Sequence, residues 1–204
     1  MGDQITSVKI VIVGTGRSGK TALLSRLCTG KFPEFYTPTV FDAFKTTLNI
    51  TSSHGTARSM LVHLHDTAGQ EEYDRLRPLA YPNTNAAVIC FSMCDVATLD
   101  DVPKWKSELE HFLPRTPIVL IACKRDVNDS KDDLNDLESR SSGRVSDEDI
   151  KRMRKDLKID HYFTTSSYMD SQDQLRNVFA QVAEIAYRVA KHALKKKGRG
   201  CTQQ

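Results

Sequence analysis

Residues 11–21 read VIVGTGRSGKT. The apolar, β-branched run around them, VKIVIV at 8–13, has the character of a short strand buried on both faces. Leu23, Leu24 and Leu27 recur at helical spacing and predict a helix from Lys20 to about Cys28. Between strand and helix stand three glycines and a lysine. Gly14-x-x-x-x-Gly19-Lys20-Thr21 fits G-x-x-x-x-G-K-[ST], a loop whose glycines let backbone N–H groups turn inward around phosphate oxygens. Gly14, Thr15, Gly16, Arg17, Ser18, Gly19, Lys20, Thr21 and Ala22 form the expected cradle. Lys20 reaches β- and γ-phosphates, the Thr21 hydroxyl suits Mg²⁺, and the helix adds its positive dipole end.

Outward from this loop the chain alternates strands with helices. TTLNITSSHGTARSMLVHLHD (46–66) reads as two strands around a Ser/His/Gly turn, with His63 and His65 on one partly exposed face. AAVICFSM and PIVLIAC are buried-strand candidates, and HYFTT is a sixth, weaker strand. Helical patterns cover 98–113 (apolar face Trp105, Leu109, Phe112, Leu113), 146–157 and 172–194. In the second of these, Ser146 is the expected N-cap and Val145 staples onto Ile150. The expected fold is α/β, a mostly parallel six-stranded sheet with helices on both faces and ligands at the carboxyl ends of its strands.

The chain has 204 residues, enough for one such domain. No run approaches the ~20 apolar residues of a membrane span, and the polar first residues lead one to expect no secretory leader. Its five cysteines are scattered without metal-pair spacing, which points to free thiols in a reducing setting. Net charge is +3, but Lys191, Lys195, Lys196, Lys197 and Arg199 lie in a terminal stretch with no acid. The remaining body is slightly acidic, a poor nucleic-acid surface. Residues 127–144 are charged, lack a core face and read as an exposed insertion. From about Lys195 the Lys/Gly-rich tail is expected to be disordered.

A second piece of phosphate chemistry is DTAGQ, Asp66–Gln70, directly after an apolar strand. Asp66 can hold Mg²⁺ through water, the Gly69 N–H can sense a γ-phosphate, and Gln70 can orient an attacking water. A phosphoryl-transfer kinase on the same loop is the weaker reading, because DTAGQ supplies a water-positioning Gln and no acceptor pocket is apparent.

These motifs resemble those of a Ras-superfamily small GTPase and, within it, the Rho family. DTAGQEEYDRLRPLAYP (66–82) is similar to the Rho-type second switch, and KFPEFYTPTVFDAF (31–44) to the first. The 127–144 segment sits where Rho proteins carry an extra helix. The resemblance implies a GTPase domain of the P-loop NTPase class over 7–192 and a basic membrane-targeting tail over 193–204. It implies GTP/GDP and Mg²⁺ as ligands, with Thr21, Thr39 and Asp66 at the metal. Gln70, Lys20 and Gly16 carry catalysis, Gly16 by leaving room for a partner's arginine finger. By resemblance Phe32 packs across the guanine and Tyr36 covers the phosphates. Val40, Phe41 and Asp42 present a Rac-like effector surface.

In this family the base is chosen by an N/T-K-x-D string. Here it is Cys123-Lys124-Arg125-Asp126, after PIVLIA. Asp126 can accept two hydrogen bonds from guanine; adenine would leave the carboxylate unpaired, at a cost of several kcal/mol. The Lys124 stem can lie along the base. Cys123 departs from the usual Asn or Thr, since a thiol donates weakly, so specificity should survive while affinity falls. Ser166 and Ser167 match the short Ser-Ala loop, the Ser167 N–H facing the guanine oxygen; Tyr168 departs. Arg17 stands where Ala or Gly is common, and its side chain is expected in solvent.

Cys201 is fourth from the end behind basic residues, a prenylation position in which the final Gln favours farnesyl, although Thr202 and Gln203 are not aliphatic. Lipid and polybasic tail together would give two membrane signals. Gly2 with Thr6 has myristoylation spacing. The implied protein is a monomeric switch with slow hydrolysis, about 10⁻⁴–10⁻³ s⁻¹ unassisted. Its implied partners are exchange factors, GTPase-activating proteins, dissociation inhibitors and Rac-like effectors. It would act in actin organisation, polarity or vesicle traffic, at the cytoplasmic face of plasma or internal membranes with a cytosolic pool. The alternative is a GTP-bound interaction module that barely hydrolyses, because Cys123 and Arg17 speed exchange or block activating proteins.

Overall fold

The VKIVIV run becomes β1 (Ser7–Val13), and its last four residues are completely buried. The computed structural model describes residues 6–35, 38–51, 55–126 and 143–200, with backbone alone for 195–200. After β1 come α1 (Lys20–Thr29), β2 (Phe41–Thr51), β3 (Ala57–Thr67), β4 (Ala86–Ser92), α2 (Val96–Asp100), α3 (Val102–Phe112) and β5 (Ile118–Cys123). They are followed by α4 (Asp147–Leu157), β6 (His161–Thr164) and α5 (Gln172–Gly200). Two 3₁₀ turns, Glu71–Tyr73 and Arg77–Ala80, follow β3. Gly2, Tyr36, most of the 127–144 insertion and Cys201 lie outside the described residues.

The six strands lie in the order β2-β3-β1-β4-β5-β6. Only β2 and β3 are antiparallel; every other neighbouring pair is parallel. This is the α/β architecture expected, and strand alternation explains its two cores. Ile10, Ile12, Leu64, Val88 and Ile121 face one way, against Leu23, Leu24 and Leu27 of α1 and Leu175, Phe179 and Val182 of α5. Val11, Val13, Ile89, Phe91 and Leu120 face the other, against Trp105 and Leu109 of α3 and Ile150 of α4. Phe179 is fully buried, and truncating such a ring to Ala costs about 3–5 kcal/mol.

Two expectations need correcting. The single helix over 98–113 is two helices that break at Asp101, with Pro103 in the first turn of α3, where a missing N–H costs nothing. Its core face is Val102, Trp105 and Leu109, while Phe112 is 47% exposed and lies against the Tyr81 ring. At the other end, α5 continues to Gly200, beyond Lys195. Extending a helix already anchored by packing fixes only one residue per added hydrogen bond, so polarity alone does not stop it. The α4 start is as expected: Ser146 Oγ accepts from the Asp149 N–H at 3.1 Å, and Val145 and Ile150 share one buried cluster.

Candidate functional site

The turn after β1 is held open by backbone conformations that glycine supplies cheaply. Gly14 has φ +140°, and a Cβ there would lie 2.2 Å from the Cys90 carbonyl oxygen, so no other residue fits. Gly19 is left-handed and precedes α1 without a side-chain cap, which leaves the first-turn amides of α1 available to an anion. Lys20 folds back over the loop, its Nζ donating to the Gly14 carbonyl at 2.6 Å and the Thr15 carbonyl at 2.9 Å. Burial pushes the Lys20 ammonium below its usual range, an effect that nearby Asp66 partly opposes. A cation held here among backbone oxygens is poised for a more strongly negative partner.

At the end of β3, Asp66 is completely buried. Its Oδ2 accepts from the Thr21 hydroxyl at 2.6 Å, and that hydroxyl lies 2.8 Å from the Thr39 hydroxyl. Asp66 Oδ1 is buried with no partner among the described residues. Burial raises the Asp66 pKa, against the hydrogen bond from Thr21 and the charge of Lys20. An orphaned carboxylate oxygen beside two hydroxyls is a hard-oxygen donor set, and these three residues fit Mg²⁺. His63 and His65, by contrast, lie half-buried on the sheet face. His65 lies beside Phe41 with ring centroids 5.5 Å apart and planes tilted by 56°, and the described residues contain no group of three His, Cys, Asp or Glu side chains placed for a metal.

A cleft of about 750 Å³ opens above these groups. It is lined by Gly16, Arg17, Gly19, Lys20, Thr21, Ala22, Phe32, Thr39, Gly69, Gln70 and Lys124, among others. Gly69 rests on the phosphate loop so closely that a Cβ would lie 2.4 Å from the Gly14 carbonyl oxygen and 2.5 Å from the Gly16 nitrogen. Gln70 is exposed at the rim. Ser18 is completely buried, whereas Arg17 is exposed in the left-handed region at φ +65°, a conformation that costs a non-glycine residue about 1–3 kcal/mol.

The end of β5 adjoins the same loop. Lys124, also left-handed at φ +62°, donates from Nζ to the Arg17 carbonyl at 2.8 Å. Cys123 is 1% exposed and lies against the place a Gly19 Cβ would occupy, at 3.1 Å. It therefore fills the strand end as a small apolar residue. The neighbouring Cys123 thiol, together with burial, holds the Cys90 thiol well above its ordinary range. Asp126 follows within the described residues and is half-buried. Ser166 and Ser167 are buried beside this segment: the Thr165 N–H donates to the Ala122 carbonyl at 2.8 Å, and the Arg125 N–H to the Thr165 carbonyl at 3.1 Å. Tyr168 meets Phe32 edge to face at 5.8 Å.

Several residues that organise this site went unread in the sequence. Asp170 accepts from the Ser166 N–H at 2.8 Å and pairs with Arg125, so it joins the loops after β5 and β6. Arg77 is 3% exposed and donates to the carbonyls of Ala68 and Gln70 and to Asp74 and Glu108. No local pattern distinguishes a buried Arg from a solvated one when its partners are this scattered. On the outer surface, Val40 and Phe41 are 52% and 49% exposed, and Asp42 is exposed beside them.

A glycine-rich loop at the end of β1, a buried acid at the end of β3 and a K-x-D segment at the end of β5 converge at the carboxyl ends of the strands of a mostly parallel sheet. That arrangement defines a P-loop nucleoside-triphosphate-binding domain. The sequence model of the Ras family matches residues 9–188, and the chain belongs to that family. It is a small GTPase switch; proteins of this family bind guanine nucleotide with Mg²⁺ and hydrolyse GTP.

Proposed function

We propose that the chain is a Rho-type GTPase with a Rac-like effector surface, cycling between GTP- and GDP-bound forms at membranes. The observation that carries the switch is the Thr21 hydroxyl standing between Asp66 and Thr39, at 2.6 and 2.8 Å. It ties the segment before β2 to the phosphate loop and to the end of β3 at one point. Thr21, Thr39 and Asp66 would hold Mg²⁺, which would supply positive charge against the phosphates. Lys20, the loop amides and the α1 N-terminus hold the phosphates. Asp126 and the Ser167 N–H read the guanine, and Phe32 covers it. Gln70 orients the attacking water, and Gly16 leaves the approach open, since nothing lies within 4 Å of a Cβ built there. Loss of the γ-phosphate would release Thr39 and so change the Val40–Asp42 surface that effectors read.

The exposed Val40 and Phe41, with Leu76 and Leu79 at 54% and 76% exposure after β3, support a partner-binding face. Prenylation at Cys201 with the basic tail is the proposed membrane attachment, and actin organisation, polarity or vesicle traffic the proposed output. The competing low-hydrolysis reading draws on Arg17, exposed at the mouth of the cleft. Identifying the nucleotide that co-purifies tests base choice: GDP or GTP is expected, and ATP would overturn the guanine assignment.

A further inference from the structure

The Thr15 side chain has no part in a phosphate loop that works through its backbone, yet its hydroxyl both donates and accepts a hydrogen bond outside the loop. Its hydroxyl donates to Asp101 Oδ2 at 2.7 Å and accepts from the Trp105 indole N–H at 3.0 Å. Asp101 is the residue at which α2 and α3 part. Trp105, the only tryptophan in the chain, is 3% exposed. The Arg77 guanidinium lies over its ring, 4.4 Å from the centroid. Arg77 in turn donates to the Ala68 carbonyl at 2.9 Å and the Gln70 carbonyl at 3.2 Å. A contiguous path therefore runs Thr15–Trp105–Arg77–Gln70, from the phosphate loop through α3 to the residue at the rim of the cleft.

The start of the switch is thus gripped twice. Gly69 abuts the loop backbone directly, where a Cβ would lie 2.6 Å from the Thr15 carbonyl carbon. Arg77 holds Ala68 and Gln70 from the far side. Arg77 also rests on the Trp105 ring, and the indole N–H of that ring donates to the Thr15 hydroxyl. Without the hydroxyl, a buried indole N–H and a carboxylate oxygen both lose a partner, a penalty that favours a small shift of the ring and of the Arg77 resting on it.

We infer that Thr15 is a positioning residue for GTP hydrolysis, acting through Trp105 and Arg77 on the backbone of Gln70. This rests on the proposed role of Gln70. Displacing a water-orienting group by a fraction of an ångström slows chemistry without removing nucleotide contacts, because those contacts are made by the Thr15 backbone.

The test is single-turnover γ-phosphate release from the full chain loaded with GTP and Mg²⁺, comparing wild type, Thr15→Val, Thr15→Ser, Gln70→Leu and the Thr15→Val/Gln70→Leu double variant. GDP release and Trp105 emission are read in parallel. Thr15→Val should slow hydrolysis about tenfold, change GDP release much less and shift Trp105 emission. Thr15→Ser, which keeps the hydroxyl, should recover most of the rate. In the Gln70→Leu background Thr15→Val should add no further loss, because its effect runs through Gln70. If Gln70→Leu hydrolyses at the wild-type rate, the role of Gln70 fails and this inference with it. If Gln70→Leu is slow but Thr15→Val is not, or if the two losses multiply, Gln70 keeps its role and the Thr15 path is wrong. Should Thr15→Val fail to fold, Trp105→Phe keeps a ring under Arg77 while deleting the N–H, and a wild-type rate in that variant overturns the inference.

Discussion

Lys124 Nζ donates to the Arg17 carbonyl at 2.8 Å, and both residues stand in left-handed backbone, at φ +62° and +65°. Two strained non-glycine residues thus meet in one charge-assisted hydrogen bond that joins the loop after β5 to the loop after β1. Such a bond contributes roughly 1.5–3 kcal/mol. Lys124→Ala should therefore release GDP about 10–100-fold faster, measured with a fluorescent GDP analogue. An unchanged rate would show that the two loops are held by other contacts.

Arg17 supplies a backbone carbonyl and N–H in a conformation glycine adopts freely. Arg17→Gly should relieve the strain and raise unfolding stability by about 1 kcal/mol while nucleotide binding persists. Urea denaturation of the GDP-bound protein measures it. A destabilised variant would mean that the Arg side chain makes a favourable contact in solution.

The glycines of the loop differ sharply in what they tolerate. A Cβ on Gly14 meets the Cys90 carbonyl at 2.2 Å, whereas a Cβ on Gly16 meets nothing within 4 Å. Gly14→Ala should lose its fold or its nucleotide, and Gly16→Ala should melt within about 0.5 kcal/mol of wild type. Thermal unfolding of both decides it, and equal destabilisation would contradict the geometry.

Asp66 predicts the response to metal removal. Its buried, unpartnered Oδ1 beside the Thr21 and Thr39 hydroxyls is the donor set assigned to Mg²⁺. Chelation by EDTA should speed GDP release from wild type and leave Asp66→Ala, already fast, nearly unaffected. A wild-type response in Asp66→Ala would place the metal elsewhere.

Local signals carried much of this molecule. VKIVIV before a glycine turn, and PIVLIAC before Lys124, declare strand ends by composition, and the proposed phosphate and base contacts stand at those ends. What was not legible depends on contacts distant in sequence. Arg77 and Glu108 are 31 residues apart, Arg125 and Asp170 are 45 apart, and Thr15 and Trp105 are 90 apart. The break at Asp101 was hidden because apolar spacing runs on across Pro103, and the continuation of α5 because composition reports solvation and not the cooperativity of a helix already anchored.

The central claim is that this chain hydrolyses GTP with Gln70 orienting the water. Single-turnover γ-phosphate release in the presence of Mg²⁺, wild type against Gln70→Leu, tests it most directly. Slow hydrolysis by wild type, about 10⁻⁴–10⁻³ s⁻¹, with Gln70→Leu at least tenfold slower at matched nucleotide occupancy, is the predicted result. Equal rates in the two proteins, or no phosphate released by wild type, would contradict it.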